Sequence, residues 1–146
     1  MEKSLDDNII LPEIESNNVN AYQYSPLSLA YLGDSVLDLI VKAHFVVNVN
    51  KQTYKYHKDV THIVNAVNQS AFVDSIMDEL FEDELEIYKR GRNANAHSKA
   101  KNATRSEYRK ATGLEALLGY LYLEKKMDRL KYFTDKMIEN YIEKNS

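Results

Sequence analysis

Apolar residues recur along this chain at the spacing of amphipathic α-helices, and no segment of useful length alternates with the two-residue period of a half-buried β-strand. Ser25 followed by Pro26 offers a helix N-cap and a proline at the first helical position, which predicts a first helix over residues 26–47. Because this segment is apolar on nearly all sides, we expect it at the centre of the fold. The apolar positions of residues 57–80 share one broad face and predict a second helix.

The second half of the chain continues the helical pattern. A short acidic helix is predicted over residues 82–90, and the asparagine-rich residues 91–103 indicate a loop. Residues 104–107, Thr-Arg-Ser-Glu, have the spacing of a capping box and open a helix that is predicted to end near residue 124. A last amphipathic helix is predicted over residues 128–143. The pattern therefore predicts an all-α fold.

The same pattern predicts one domain preceded by a tail. Residues 1–24 have little apolar periodicity and several turn formers, which indicates a flexible N-terminal tail, whereas residues 25–146 form a single helical domain. A chain of 146 residues is long enough for one domain with a real core. The absence of cysteine excludes a disulfide framework, a thiolate metal site and a thiol nucleophile. Because no signal peptide and no apolar run of about 18 residues occur, we expect a cytoplasmic protein without a membrane partner.

The net charge of −3 hides a strongly basic segment. Residues 86–110 contain eight lysines and arginines against two glutamates, a net charge of +6, which leaves −9 for the rest of the chain. The local charge, rather than the net charge, sets the field that a polyanion meets. A solvated charged loop explains this composition as well as a nucleic-acid contact does, so both interpretations stay open.

Two carboxylates inside apolar helical runs are the strongest candidates for chemistry. Asp34 follows Gly33, and Glu115 lies between Gly113 and Gly119. An ionised carboxylate among aliphatic side chains costs several kcal/mol unless a positive charge compensates it. Each glycine inside a helix costs about 1 kcal/mol relative to alanine, so we expect all three where the helices of the two acids approach each other closely. The combination predicts a site at each acid, and the missing positive charge suggests a bound cation.

The ordinary alternative is a salt bridge within the same helix. Positions three and four residues from Asp34 and Glu115 hold no basic residue, and Asp38 adds a like charge near Asp34. Asp38 itself has Lys42 four residues later and is predicted to form a structural ion pair. A distant basic residue stays open as the partner of either remaining acid. If the two acids meet across crossing helices, magnesium suits them, because it takes one or two carboxylates and leaves room for phosphate oxygens.

Both acidic segments resemble, in the same order, those of the ribonuclease III catalytic-domain family. Residues 29–38, Leu-Ala-Tyr-Leu-Gly-Asp-Ser-Val-Leu-Asp, resemble the signature helix that carries metal ligands in this family. Residues 112–119, Thr-Gly-Leu-Glu-Ala-Leu-Leu-Gly, resemble the later helix that supplies the remaining ligands. Between them, Arg-Gly-Arg-Asn at residues 90–93 and Tyr-Arg at residues 108–109 resemble the shorter branch, Mini-ribonuclease III. The resemblance covers residues 25–124.

The resemblance implies a ribonuclease III-like helical bundle that forms a homodimer, with two sites that cut opposite strands of an RNA duplex. Asp34 and Glu115 would be the catalytic acids and the ligands of Mg²⁺. The implied function is a magnesium-dependent endoribonuclease of double-stranded RNA in the maturation of precursor large-subunit (23S) ribosomal RNA, with a ribosomal protein as a candidate helper. The candidates for contacts with RNA phosphates are basic residues of the intervening segment: Arg90, Arg92, Lys99, Lys101 and Arg109.

The chain departs from full-length ribonuclease III at two ligand positions. Ala30 stands four residues before Asp34, where that family usually has glutamate. Thr112 stands three residues before Glu115, where it usually has aspartate. The Mini branch is similar in lacking both acids, so the departures favour this branch and leave the number of bound ions open.

Two other kinds of function stay open from the sequence. A non-catalytic helical module for RNA binding and dimerisation would pair both acids with distant arginines and would show no effect of metal. A bundle that binds only proteins would not bind RNA even at low salt. Incubating the protein with duplex RNA, with and without magnesium, separates these alternatives from a nuclease.

Overall fold

Six α-helices make up the part of the chain that the structure describes. The structure is a computed structural model that describes residues 20–49, 53–94 and 103–145. Its helices, in chain order, are α1 (Pro26–Val49), α2 (Thr53–Val64), α3 (Ala66–Ile76), α4 (Glu82–Asn93), α5 (Arg105–Leu123) and α6 (Met127–Lys144). Short 3₁₀ turns lie at Ala21–Gln23 and Met77–Glu79, and these ranges contain no strand and no helix fit to cross a membrane. The predicted all-α fold is confirmed.

Helix α5 lies at the centre of the bundle, and α1, α3 and α4 pack around it. Residues 111–121 are all buried apart from Glu115, which is half-buried. The apolar composition of α1 predicts that α1 takes this central position, but its side chains of Tyr31 and Leu39 are 83% and 62% exposed. That prediction is wrong, because composition does not distinguish an apolar side chain that faces the core from one left on the surface.

The crossing of α1 and α5 is a contact between backbones. A Cβ atom added at Gly33 would lie 1.7 Å from the carbonyl oxygen of Glu115, and one added at Gly119 would lie 2.1 Å from the carbonyl oxygen of Leu29. Both distances are far inside van der Waals contact, so only glycine fits at these positions. Gly113 belongs to another crossing, since its added Cβ would lie 2.7 Å from the ring of Tyr88 on α4. The sequence-based assignment of Gly113 to the α1–α5 crossing is therefore wrong.

The second predicted helix is divided in two at Asn65. This residue is extended, with φ −70° and ψ 159°, and its side chain accepts a hydrogen bond from the N–H of Asn68 at 2.8 Å. Asparagine competes with the helical backbone in this way and is favoured as an N-cap. Residues 57–80 therefore contribute to α2, to α3 and to the 3₁₀ turn that follows α3.

Residues 20–24, which the sequence assigns to the tail, belong to the folded domain. Ala21 is fully buried in the core. The guanidinium of Arg90 on α4 donates to the carbonyl oxygens of Tyr22 and Tyr24, at 2.7 and 3.4 Å. This anchor connects residues almost seventy positions apart, so local periodicity does not predict it. The remainder of the predicted tail lies outside the described residues.

Helix α4 extends three residues beyond its predicted end at residue 90. Gly91, placed in a loop by the sequence analysis, is buried, and its added Cβ would lie 2.7 Å from the Cβ of Ala116 on α5. Tertiary contact with α5 thus favours helix where local propensity favours a turn. The predicted loop continues into residues 95–102, which lie outside the described residues.

A buried ion pair joins α4 to α6. Glu84 is 1% exposed, and its two carboxylate oxygens accept hydrogen bonds from Arg129 at 2.7 and 2.8 Å. One of those oxygens also accepts the N–H of Phe81 at 2.8 Å, which closes the first turn of α4. The guanidinium lies 3.9 Å from the centre of the Phe81 ring. The negative charge of Glu84 is therefore compensated by the guanidinium of Arg129 and by the backbone N–H of Phe81.

Replacing Arg129 with methionine should lower the free energy of unfolding by about 3–5 kcal/mol, because it leaves a buried carboxylate without its partner. Urea denaturation followed by circular dichroism measures the change. Lys131→Met is the matched control, since Lys131 pairs with Asp135 on the exposed side of the same helix. The control should cost less than about 1 kcal/mol. Equal losses for the two variants would contradict the importance of the buried pair.

Candidate active site

Two acids that the sequence singles out lie side by side where α1 crosses α5. Asp34 follows Gly33, whose backbone lies against the carbonyl of Glu115, so the contact that brings the helices together also brings the two carboxyl groups within interaction range. Asp34 is exposed and Glu115 is half-buried. The pair is therefore open to solvent on the side of Asp34 and closed by the core on the side of Glu115.

The surroundings of Glu115 disfavour its ionised form. Burial, followed by the negative charge of Asp34, raises the pKa of Glu115 to about 8, against an opposing hydrogen bond from Gln69. Within the described ranges, no lysine, arginine or histidine forms an ion pair with Asp34 or Glu115. The alternative in which distant arginines neutralise both acids therefore has no ion pair to support it in this part of the chain.

A third polar side chain, absent from the sequence-based prediction, reaches the pair from α3. Gln69 is 1% exposed, and its Nε2 donates to Oε2 of Glu115 at 3.2 Å and to the carbonyl oxygen of Val64 at 2.7 Å. Its Oε1 is buried and accepts no hydrogen bond from the described residues. The site is thus built from three helices rather than two.

One sequence signal could have revealed Gln69. Phe72, Val73 and Ile76 follow it at spacings of three, four and seven residues, and all four side chains are buried on the same face of α3. An amide at a position where the pattern calls for an apolar side chain has to find hydrogen-bond partners. The pattern therefore marks Gln69 as unusual, although it does not identify the partner.

Ala30 and Thr112, which stand where full-length ribonuclease III usually has acidic ligands, add no carboxylate to the site. Ala30 is buried one turn before Asp34. The hydroxyl of Thr112 donates to the carbonyl of Tyr108 within α5 at 3.0 Å. Among the described residues, no group of three or more histidine, cysteine, aspartate or glutamate side chains could hold a metal ion. The acidic donors at the crossing are therefore Asp34 and Glu115.

Two of the basic residues predicted to bind RNA have partners within the protein. Arg90 is the anchor of Tyr22 and Tyr24 described above. Arg92 lies over the ring of Tyr88, with 5.6 Å from its guanidinium carbon to the ring centre. Both guanidinium groups are thus held in place at the end of α4.

The other predicted RNA contacts differ in what the structure describes. Arg109 is exposed near the start of α5. Lys99 and Lys101 lie outside the described residues.

The predicted ion pair between Asp38 and Lys42 is confirmed, with 2.8 Å between the charged atoms. Asp38 is therefore the acid of α1 with a structural role.

Without metal, the stability of the folded protein should fall as the pH rises from about 4.5 to about 8. The unfolded chain loses the proton of Glu115 near its ordinary pKa of 4.5, whereas the folded chain holds it to about 8. Over that interval the unfolded state gains stability relative to the folded state. Glu115→Gln removes this contribution, so the variant should exceed the wild type in Tm at pH 8 and match it below pH 4.5.

Thermal melts in EDTA across this pH range measure the difference. Glu86→Gln, which changes an exposed glutamate of α4, is the matched control and should follow the wild type. A difference between Glu115→Gln and the wild type that stays constant with pH would contradict the raised pKa.

Comparison with known proteins places this geometry in a family. The ribonuclease III domain matches residues 27–126. The chain is 40% identical over 116 residues to a Mini-ribonuclease 3 of Staphylococcus aureus, covering 78% of this chain and 87% of that protein. It is 40% identical over 126 residues to a Mini-ribonuclease 3 of Clostridium tetani, covering 85% of this chain and 82% of that protein.

A solved structure shows the same similarity. The crystal structure of a protein from Fusobacterium nucleatum superposes with a TM-score of 0.74 at 32% identity, covering 81% of this chain and 94% of that one. This structural match agrees with the sequence matches, which span both acids and the three helices around them. The chain belongs to the ribonuclease III family, among the Mini-ribonuclease 3 endoribonucleases, a family that acts on double-stranded RNA.

Proposed function

We propose that the chain cleaves double-stranded RNA in a magnesium-dependent reaction, with Asp34 and Glu115 as the metal ligands. The observation that carries the proposal is the meeting of two carboxyl groups across a crossing that only glycine permits. Two like charges held together in a partly buried site are stabilised by a cation between them. Carboxylate oxygens are the ligands that magnesium prefers, and one or two of them suffice. The donor set therefore fits this ion.

The two acids have different parts in the proposed reaction. Glu115, which accepts a hydrogen bond from Gln69 on the core side, would bind the cation together with Asp34, whose exposed carboxylate faces the solvent from which the RNA would arrive. Without a cation, the exposed carboxylate of Asp34 repels the phosphate that is to be cleaved. Magnesium supplies positive charge that stabilises the negative charge developing on the phosphate during hydrolysis. Cleavage is therefore conditional on the ion.

The basic segment is the proposed contact with the RNA backbone. Arg92 belongs to α4 and Arg109 to α5, and Lys99 and Lys101 belong to the connection between these helices. Arg90 adds its charge while it holds the carbonyls of the N-terminal segment. Double-stranded RNA is recognised mainly through its shape, its phosphates and its 2′-hydroxyl groups. Basic side chains that contact phosphates suit that recognition without contacts to base edges.

The proposed cellular substrate is a precursor of the large-subunit (23S) ribosomal RNA in the cytoplasm, as the resemblance to the Mini branch implies. A helper, with a ribosomal protein as the candidate, would present the duplex. Base pairing near the ends of such a precursor supplies the duplex that the site needs. The family acts on double-stranded RNA, and we propose this precursor as the particular double-stranded RNA that the chain cleaves.

A homodimer is the proposed assembly, because the described part of one copy holds one pair of acids and a duplex has two strands. Helix α1 leaves large apolar side chains on the surface: Tyr31, Leu39, Val46 and Val47 are 83%, 62%, 57% and 79% exposed. A row of exposed apolar side chains on one helix is typical of an interface. A second copy that covers this row would bring two sites to one duplex.

Asp34→Asn should lower the cleavage of duplex RNA in magnesium on the order of 100-fold or more while the fold is retained. Replacing a residue that only hydrogen-bonds a metal ligand already costs about 10- to 100-fold, and a ligand itself should matter more. Gel analysis of a labelled duplex measures the rate, and circular dichroism checks the helices. Asp38→Asn is the matched control one turn away and loses a partly exposed ion pair with Lys42. It should stay within about 2-fold of the wild type. Full cleavage by Asp34→Asn would contradict the proposed site.

Leu39→Glu should convert the dimer into a monomer, because it places a charge in the apolar row of α1. Light scattering coupled to size-exclusion chromatography gives the mass directly. Ile142→Glu on α6 is the matched control, since Ile142 is another exposed apolar residue, with 46% of its side chain accessible. The control should remain a dimer. A monomeric wild type, or a dimeric Leu39→Glu, would contradict the proposed interface.

A further inference from the structure

The amide of Gln69 has its orientation determined by the end of α2. Helix α2 stops at Val64, so the carbonyl oxygens of its last turn need partners from outside the helix. Nε2 of Gln69 donates to the carbonyl oxygen of Val64 at 2.7 Å. A carbonyl is an acceptor in every protonation state, so the nitrogen of the amide has to face it. The other hydrogen of Nε2 then points to Oε2 of Glu115, at 3.2 Å.

This arrangement places a donor with a fixed direction beside one oxygen of Glu115. Gln69 is 1% exposed and packs among apolar side chains of α3, so it has little freedom to turn away. Glutamate has several rotamers, and a ligand that must be ordered when the ion binds lowers the affinity. A carboxylate already held in one rotamer avoids that loss.

The unpartnered oxygen of Gln69 argues against a purely structural role. Its Oε1 is buried and accepts no hydrogen bond from the described residues. A buried amide retained only for stability is expected to have both ends satisfied. The neighbouring Asn68 provides the comparison, because its Nδ2 donates to the carbonyl of Ile63 at 2.8 Å at the same helix end. Asn68 therefore caps α2 in the same way and makes no described hydrogen bond to either acid.

We infer that Gln69 is a positioning residue that holds the carboxylate of Glu115 ready to bind the divalent cation, an inference that rests on the proposed function. Gln69 acts through Glu115 and touches neither substrate nor reacting atoms. Its removal should weaken cation binding and raise the magnesium concentration needed for half-maximal cleavage. The KM for RNA should stay unchanged, because the phosphate contacts lie on other residues.

The test compares Gln69→Leu with Asn68→Leu in the RNA-free protein. Each variant loses one side-chain amide that caps α2, but only Gln69→Leu loses the hydrogen bond to Glu115. Binding of Mn²⁺, used as the probe for the divalent site, is followed by the electron paramagnetic resonance signal of the free ion. We expect the Kd for Mn²⁺ to rise about 10- to 100-fold in Gln69→Leu and to stay within about 2-fold of the wild type in Asn68→Leu.

The outcomes separate this inference from the proposed function. If the wild type binds Mn²⁺, Glu115→Gln does not, and Gln69→Leu binds like the wild type, the inference is overturned and the metal site stands. If the wild type does not bind Mn²⁺, or Glu115→Gln binds equally well, the metal site itself fails and the inference fails with it. If both leucine variants weaken binding equally, the effect belongs to the end of α2 and the inference is overturned.

Folding of the variants is checked by circular dichroism before the titrations. Should Gln69→Leu lose its helices, Gln69→Met replaces it, because methionine keeps the unbranched length of glutamine and lacks the donor. Weaker Mn²⁺ binding by a folded Gln69→Met supports the inference, and unchanged binding overturns it.

Discussion

The contact between the backbones of α1 and α5 is the constraint on which the rest of this structure depends. At Gly33 and Gly119 each helix lies so close to the other that a single Cβ atom would overlap a carbonyl oxygen. Such an approach removes the separation that side chains normally impose between packed helices. Asp34 and Glu115, which lie on the two sides of this crossing, are brought together as a direct consequence. A larger residue at either glycine would separate the acids as well as the helices.

Glu84 and Glu115 show how differently a fold can treat the same functional group. Glu84 is compensated by Arg129 and by a backbone N–H, so its charge is neutralised inside the protein. Glu115 accepts a hydrogen bond from the neutral amide of Gln69, and its burial, followed by the like charge of Asp34, raises its pKa to about 8. A carboxylate that the protein leaves uncompensated at a cost in stability is the kind that a cation or substrate completes. The contrast distinguishes an acid whose charge the protein compensates from one whose charge it leaves uncompensated, and this difference supports the proposed role of Glu115.

The local pattern of apolar, polar and capping residues predicted most of the helices, but it did not predict several of the junctions between them. The starts of α1 and α5 follow from capping residues that act within one turn, so both were predictable. The break at Asn65 depends on one side chain capturing a backbone N–H. The inclusion of residues 20–24 in the domain depends on Arg90, which is distant in sequence. The extension of α4 to Asn93 depends on the packing of Gly91 against α5. Interactions of the last two kinds are invisible to a short window of sequence.

The sequence by itself determined which residues are out of place: glycines inside helices, and acids among aliphatic side chains without a local cation. Each of these penalties is a property of the residue and its near neighbours, so it can be recognised without coordinates. Only the tertiary structure decided how the unusual residues are matched. In the folded chain Gly33 packs against Gly119, and Gly113 packs against Tyr88. The side-chain amide of Gln69 donates a hydrogen bond to Glu115. Such pairings depend on how whole helices cross, and that geometry is set by the packing of the complete core.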